Sequence, residues 1–217
     1  MSPIKPTIKT EIIPLLLLAA VAVSSLYFYN HFPERVPSHW NFKGEIDGWS
    51  GKAGAAFGLP AILVLMYLMF LVIPYLDPRK EKYQQFAKVY HIFKTSILSL
   101  LGLLYFAVGI NGIGYPINIG LWTPVVIGLL FIILGNYMGK IKSNWFVGIR
   151  TPWTLSSEEV WNKTHRFGGK IFILAGIGMI LQPFLPENFR LPLFIITITA
   201  MLLGTFGYSY FIYKKKT

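Results

Sequence analysis

The chain has 217 residues, 54% of them hydrophobic and only 13% charged, with 20 Lys and Arg against 9 Asp and Glu. A soluble domain carries roughly 25% charged residues, so this composition is that of an integral membrane protein. Without cysteine, a disulfide scaffold, an iron–sulfur cluster and a Cys-ligated zinc are excluded. A formal charge of +11 would point to nucleic acid only if the basic residues converged on one soluble face, and they do not.

About 20 mostly apolar residues are needed to cross roughly 30 Å of hydrocarbon. Six stretches qualify, at 12–30, 53–76, 95–112, 119–139, 168–185 and 191–213, and apart from Lys170 at the start of the fifth none contains Asp, Glu, Lys or Arg. With no water to satisfy backbone polar groups, each is expected to be a helix. The first could be mistaken for a signal peptide, since Lys5 and Lys9 precede it and Ala20-Val21-Ala22 resembles a cleavage site. Its apolar character continues through Leu26, Tyr27, Phe28 and Tyr29, an aromatic belt suited to the membrane interface, so it is read as a retained helix.

With the N-terminus inside, Arg35, Lys43, Lys52 and Arg190 fall in outer segments and the other 16 of the 20 basic residues fall in cytoplasmic ones. That asymmetry predicts both termini in the cytoplasm and explains the basic charge by topology and anionic head groups. The expected fold is an all-α integral membrane protein of six transmembrane helices, with an outer loop over 31–52 and an inner interfacial helix.

The outer loop runs through Pro37-Ser38-His39-Trp40-Asn41-Phe42 to Asp47-Gly48-Trp49. Lys43-Gly44 and Asp47-Gly48 are turn signals that favour a short hairpin, which would hold Trp40, Phe42 and Trp49 at head-group level. His39, Trp40, Asp47 and Trp49 are the candidates for contact with an external ligand. Two further readings stay open: a purely structural loop, and a divalent-cation site built from His39, Glu45 and Asp47. The second connection, Asp77-Pro78-Arg79-Lys80-Glu81-Lys82, is read as a solvated, anchoring turn.

The fourth connection, 140–167, carries more aromatic residues than a solvated loop would: Trp145, Phe146, Trp153 and Trp161. It is expected to clasp the inner ends of the helices, with Arg150 stacked on an indole or paired with Glu158 or Glu159. Ser156 and Glu159 are spaced as a capping box and Glu159 and Lys163 as an i,i+4 pair. Trp161, His165 and Gly168 share one stripe, which suggests a helix lying along the surface and turning at Gly168-Gly169 into the fifth span. A site using Glu158 and His165 is the remaining alternative. Gly135 and Gly139 have GxxxG spacing, and Asn111, Asn136 and Gln182 are the strongly polar candidates within the spans, each open to satisfaction by a neighbouring helix.

Gly135-Asn136-Tyr137-Met138, the run Asn144 to Leu155, Val160-Trp161 and Thr164-His165-Arg166 together resemble the signature of the SdpI family, bacterial immunity proteins against the sporulation-delay toxin. Pro33, Pro37 to Asn41, Gly44, Asp47-Gly48-Trp49 and Lys52 resemble the small module of unknown function often found at the N-terminus of such proteins. The resemblance implies a bacterial plasma-membrane protein that protects its host from a secreted, membrane-active peptide toxin and relays toxin binding to a cytoplasmic winged-helix repressor. It also implies two units, an N-terminal module over 1–76 and an immunity core over 77–217. On this reading Asn144, Trp145, Arg150, Pro152, Trp153, Glu159, Trp161, His165 and Arg166 are the signalling candidates of the clasp. No catalytic residue, metal, cofactor or direct nucleic-acid contact is expected, and the partners are toxin, repressor and bilayer. The alternative is a transporter or channel for a toxic compound, against which the lack of ionisable residues in the middle of the spans counts.

Overall fold

The computed structural model describes residues 4–216. Helix α1 (Ile8–His31) opens on a reciprocal capping box, in which Thr7 accepts from the Thr10 amide and Thr10 accepts from the Thr7 amide. A two-stranded antiparallel hairpin follows, β1 (Arg35–Trp40) and β2 (Ile46–Gly51). Its turn is held by the Asn41 side chain, which accepts from the amides of Lys43 and Glu45. Then come α2 (Lys52–Leu76), a 3-10 segment (Lys80–Phe86), α3 (Ala87–Gly112) and α4 (Ile119–Met138). After an irregular stretch, the short α5 (Pro152–Ser156), α6 (Glu158–Leu181) and α7 (Glu187–Lys214) complete the chain. Six of these helices are long and apolar enough to cross a membrane, as expected.

The helices run alternately up and down, so one end of the bundle carries the hairpin and the other carries the 140–157 segment. Two apolar cores lie along α3. Near the hairpin, Phe28, Phe32, Val36, Leu63 and Tyr105 join α1, α2, α3 and β1. At the opposite end, Tyr83, Phe86, Tyr90, Ile141 and Trp161 join the 3-10 segment, α3 and α6. The closest helix pair is α4 with α6, which touch backbone to backbone at two levels seven residues apart. A Cβ on Gly128 would lie 2.5 Å from the Gly176 carbonyl oxygen, and one on Gly135 would lie 2.6 Å from that of Gly169. Small residues are how membrane helices reach such proximity. The contacts pair Gly128 with Gly176 and Gly135 with Gly169, so the GxxxG spacing of Gly135 and Gly139 is not the one used.

The expected span limits exclude two charges that the structure buries within helices. Glu11 lies in the first turns of α1 and Lys94 in α3, and both are buried, at 6% and 1% exposed. The Lys94 ammonium donates to both Glu11 carboxylate oxygens, at 2.5 and 2.6 Å, and the Tyr67 hydroxyl of α2 donates to Oε2 at 3.0 Å. Mutual neutralisation lets both residues extend their helices, and the pair pins α1, α2 and α3 together. The expected turn at Gly168-Gly169 is also corrected, because α6 runs unbroken from Glu158 to Leu181. Those glycines make room for α4 and for the Ile149 side chain instead. Asn136 departs from expectation too: it is exposed on α4 rather than satisfied by a neighbour.

Replacing Lys94 with Met leaves a buried carboxylate without its counter-ion and is expected to cost about 3–5 kcal/mol of stability, whereas adding Glu11→Leu restores most of the loss. Unfolding midpoints of the detergent-solubilised variants check this. A double variant as unstable as Lys94→Met alone would contradict it.

Candidate functional site

The segment 140–157 lacks regular structure until α5, yet buried side chains bind the amides of Trp145, Phe146, Val147, Ile149 and Thr151. Asn144 is completely buried. Its carbonyl oxygen accepts from the amides of Phe146 (2.9 Å) and Val147 (2.7 Å), while its amide nitrogen donates to the carbonyls of Lys142 and Val147, both at 2.9 Å. One side chain thus uses its donor and acceptor capacity to fold its own loop.

The loop is fixed to the bundle by Asp77, at the end of α2. This carboxylate is 1% exposed. It accepts from the Arg79 amide (2.7 Å), the Tyr83 hydroxyl (2.9 Å) and the Trp145 amide (2.9 Å). Arg79 carries the link further, donating to the Ser143 hydroxyl and, at 3.1 Å, to the Leu155 carbonyl, with its guanidinium over the Trp145 ring. Lys82 pairs with Glu158. The connection expected to be a solvated charged turn is therefore the latch of the clasp. The sequence hid this because an Asp among Arg and Lys residues has the same composition whether it faces water or a ring of buried donors.

Beneath the loop, Trp161 and His165 stack on α6 with ring centroids 4.0 Å apart, both fully buried. The Trp161 indole donates to the Ile141 carbonyl at 2.9 Å. His165 holds Nδ1 2.8 Å from the Trp161 carbonyl and accepts at Nε2 from the Ile149 amide at 3.0 Å, a pattern that fixes the Nδ1–H tautomer. Gly148 crosses directly over this ring at φ +114°, where any Cβ would strike Nε2. With both nitrogens engaged, His165 is a structural histidine. Glu158 is exposed and turned to Lys82, so the structure does not bring Glu158 and His165 into one site.

The clasp closes on α7. Thr151 and Thr154 form a capping box for α5 with Pro152 at its first turn, a start signal the sequence reading passed over. The Thr151 hydroxyl donates to Ser209 of α7 at 3.1 Å. Trp153 packs against Phe206 and Tyr210, each with centroids 5.0 Å away. The α6 cap is Ser157, which accepts from the Val160 amide, rather than Ser156, whose hydroxyl donates back to the Trp153 carbonyl. Glu159 makes the expected pair with Lys163 at 2.7 Å and also meets Lys216 at 3.3 Å. Arg150 pairs with neither Glu158 nor Glu159; it is exposed and donates to the Trp145 carbonyl at 2.8 Å. What faces outward from this rigid loop is Trp145 (44% exposed), Phe146 (38%), Arg150 and, on α6, Arg166.

At the other end, the hairpin presents Trp49, 56% exposed, beside the hydrogen bond between His39 Nδ1 and Asp47 Oδ1 at 2.5 Å. Trp40 is half-buried. Glu45 is held by the Asn41 amide at 2.9 Å and does not join His39 and Asp47. Among the described residues no three His, Asp or Glu side chains converge to hold a metal. The hairpin also bridges the bundle. Val36 is buried against Gly112 of α3, the Gly44 backbone lies against Gly120 of α4, and Phe42 meets Phe194 of α7 with centroids 5.2 Å apart.

The profile of the SdpI/YfhL protein family matches residues 140–210, from the first residue of the clasp to near the end of α7. A domain of unknown function, DUF1648, matches residues 15–64, which hold most of α1, the hairpin and half of α2. The chain is also 29% identical over 208 residues to Immunity protein SdpI of Bacillus subtilis (strain 168), an alignment that covers 95% of this chain and 97% of that protein. The chain is thus similar to the SdpI/YfhL protein family through its clasp, α6 and most of α7. It is a multi-pass bacterial membrane protein, akin over nearly its whole length to an immunity protein. No solved structure matches significantly. The SdpI/YfhL match contains the whole clasp, whereas the Asp77 latch lies outside both matched segments.

Removal of the latch should loosen the clasp without unfolding the bundle. In Asp77→Ala, hydrogen exchange over 143–150 is expected to accelerate by about ten-fold or more, in line with the loss of one or two hydrogen bonds to a charged group. Amides in the middle of α4 should be unaffected. Unchanged exchange at Trp145 would show that Asp77 does not organise this loop.

Proposed function

We propose that the chain is a non-enzymatic immunity protein of the bacterial plasma membrane, which protects its cell from a secreted, membrane-active peptide toxin and reports the encounter to a cytoplasmic repressor. The reading divides the chain into the hairpin module, 1–76, and the immunity core, 77–217, and sets the hairpin outside and the clasp inside, in keeping with the distribution of basic residues. His39, Trp40, Asp47 and Trp49 form the toxin-facing platform. Trp145, Arg150 and Arg166 form the partner-facing surface, with Asn144, Pro152, Trp153, Glu159, Trp161 and His165 holding it in shape.

The observation that carries this reading is the end-to-end similarity to an immunity protein. The geometry supports it by offering a route between the two surfaces. The hairpin touches α4 at Gly120 and α7 at Phe194. α4 runs into the clasp, and α7 holds it through Ser209, Phe206 and Tyr210. Since α4 and α6 are in backbone contact, a displacement at the hairpin is transmitted as a rigid movement of that pair rather than absorbed by side chains. Coupling also requires the toxin to bind one arrangement of the bundle better than the other.

The transporter alternative gains one observation, since Glu11 and Lys94 place ionisable groups inside the spans after all. They are closed into a mutual pair with Tyr67, which favours a structural staple over a relay.

Expression in a strain sensitive to the sporulation-delay toxin tests the proposal. The wild type should raise survival, Trp49→Ala and His39→Ala should lower it by about ten-fold or more at equal protein abundance, the scale of one lost anchor contact, and Trp145→Ala and Arg150→Ala should keep survival while releasing the repressor from the membrane. Equal survival with and without the wild-type protein would reject the immunity reading for that toxin.

A further inference from the structure

One cavity belongs to neither surface described above. It has a volume of about 970 Å³ and lies at the clasp end of the bundle, between the segment entering α1 and the start of α3. Its rim carries Lys5, Lys9 and Lys88, and its wall carries His91. Its apolar lining comes from Ile4, Ile13, Ala87 and Ile92. Among the described residues no carboxylate lines it. Glu11, on the neighbouring turn of α1, is turned inward to Lys94 and Tyr67. Among the described residues, Lys5, Lys9 and Lys88 form no ion pair. His91 Nδ1 is buried with no hydrogen-bond partner, 3.8 Å from the Glu11 carboxylate and too far to bond it.

We propose that this cavity is a binding site for an anionic glycerophospholipid, with the head-group phosphate among Lys5, Lys9 and Lys88 and the first part of an acyl chain along Ile13 and Ile92. Three features select this occupant. The cationic groups cluster at the end where the helices begin, which is head-group depth, while the apolar wall continues towards the hydrocarbon. Three lysines without partners on one rim provide a field that a zwitterionic head group would satisfy less well than an anionic one. The cavity also opens onto the lipid-facing side of α1, where Ile12, Ile13 and Leu16 are exposed, so a lipid enters without passing through the bundle. A lipid seated there touches α1 and α3 on either side of the Glu11–Lys94 pair and would brace that end of the bundle.

The site is independent of the toxin assignment, and its test uses purified full-length protein in neutral detergent. Phosphatidylglycerol is titrated against phosphatidylcholine and against inorganic phosphate, with native mass spectrometry and thermal unfolding as readouts. The expected result is one retained phosphatidylglycerol and a rise in unfolding temperature that neither phosphatidylcholine nor phosphate reproduces. The triple variant Lys5→Ala, Lys9→Ala, Lys88→Ala should weaken phosphatidylglycerol binding by about ten-fold or more, as expected where several charges near the surface are removed. Ser96→Trp, which narrows the cavity and keeps every cation, should weaken it as well. A control triple on the same end of the bundle, Lys142→Ala, Lys170→Ala, Lys215→Ala, should change it by less than about two-fold, since surface charges outside the site act only through a screened field. Equal retention of the two lipids, an equal loss in the control triple, or stabilisation by inorganic phosphate alone would overturn the proposal.

Discussion

The clasp depends on a buried carboxylate that cannot be left without donors. Removing Asp77 from water costs several kcal/mol unless hydrogen bonds replace its hydration. The available donors come from its own connection, at the Arg79 amide and the Tyr83 hydroxyl, and from the Trp145 amide nearly seventy residues later in the chain. Satisfying one side chain therefore brings the α2–α3 connection onto the segment that follows α4. Asn144 shapes that segment from within, and Trp161 and His165 give it a floor. The result is a loop with little regular secondary structure that is nonetheless held on every side, with two aromatic rings and an arginine facing outward.

The same economy appears at the level of helices. α4 and α6 meet through glycines at two levels, leaving no side-chain layer between them to deform, whereas α1, α2 and α3 are joined by an ion pair and by aromatic packing. The hairpin rests on both groups, on α3 through Val36 and on α4 and α7 through Gly44 and Phe42. A ligand on the hairpin would thus press on a junction between two packing regimes. This is the arrangement in which a small shift at one end of a bundle becomes a defined shift at the other.

Much of this was legible in the sequence. The six spans follow from apolar length alone, the hairpin from the turn signal at Lys43-Gly44, and the shared stripe of Trp161 and His165 from helical spacing, whereas Asp47-Gly48, expected as a second turn, lies within β2. The errors over charged residues share one physical cause. Composition treats a charge as a mark of solvent, so Glu11 and Lys94 were expected beyond the ends of their helices and Asp77 in a solvated turn. In the fold each is neutralised or saturated by a partner 83 or up to 68 residues away. Pairing at that separation has no local signature. The turn expected at Gly168-Gly169 failed for the opposite reason. Adjacent glycines weaken a helix only if nothing packs on them, and here α4 and Ile149 occupy the space they leave.

The most direct measurement of the central claim, that the two surfaces face opposite sides of the membrane with the hairpin outside, uses the absence of native cysteine. Single reporters Lys43→Cys, at the hairpin turn, and Lys142→Cys, in the clasp, are exposed to a membrane-impermeant maleimide in intact cells and again after permeabilisation. The account predicts labelling of the hairpin reporter in intact cells and of the clasp reporter only after permeabilisation. Labelling of both in intact cells, or of the clasp reporter alone, would contradict it.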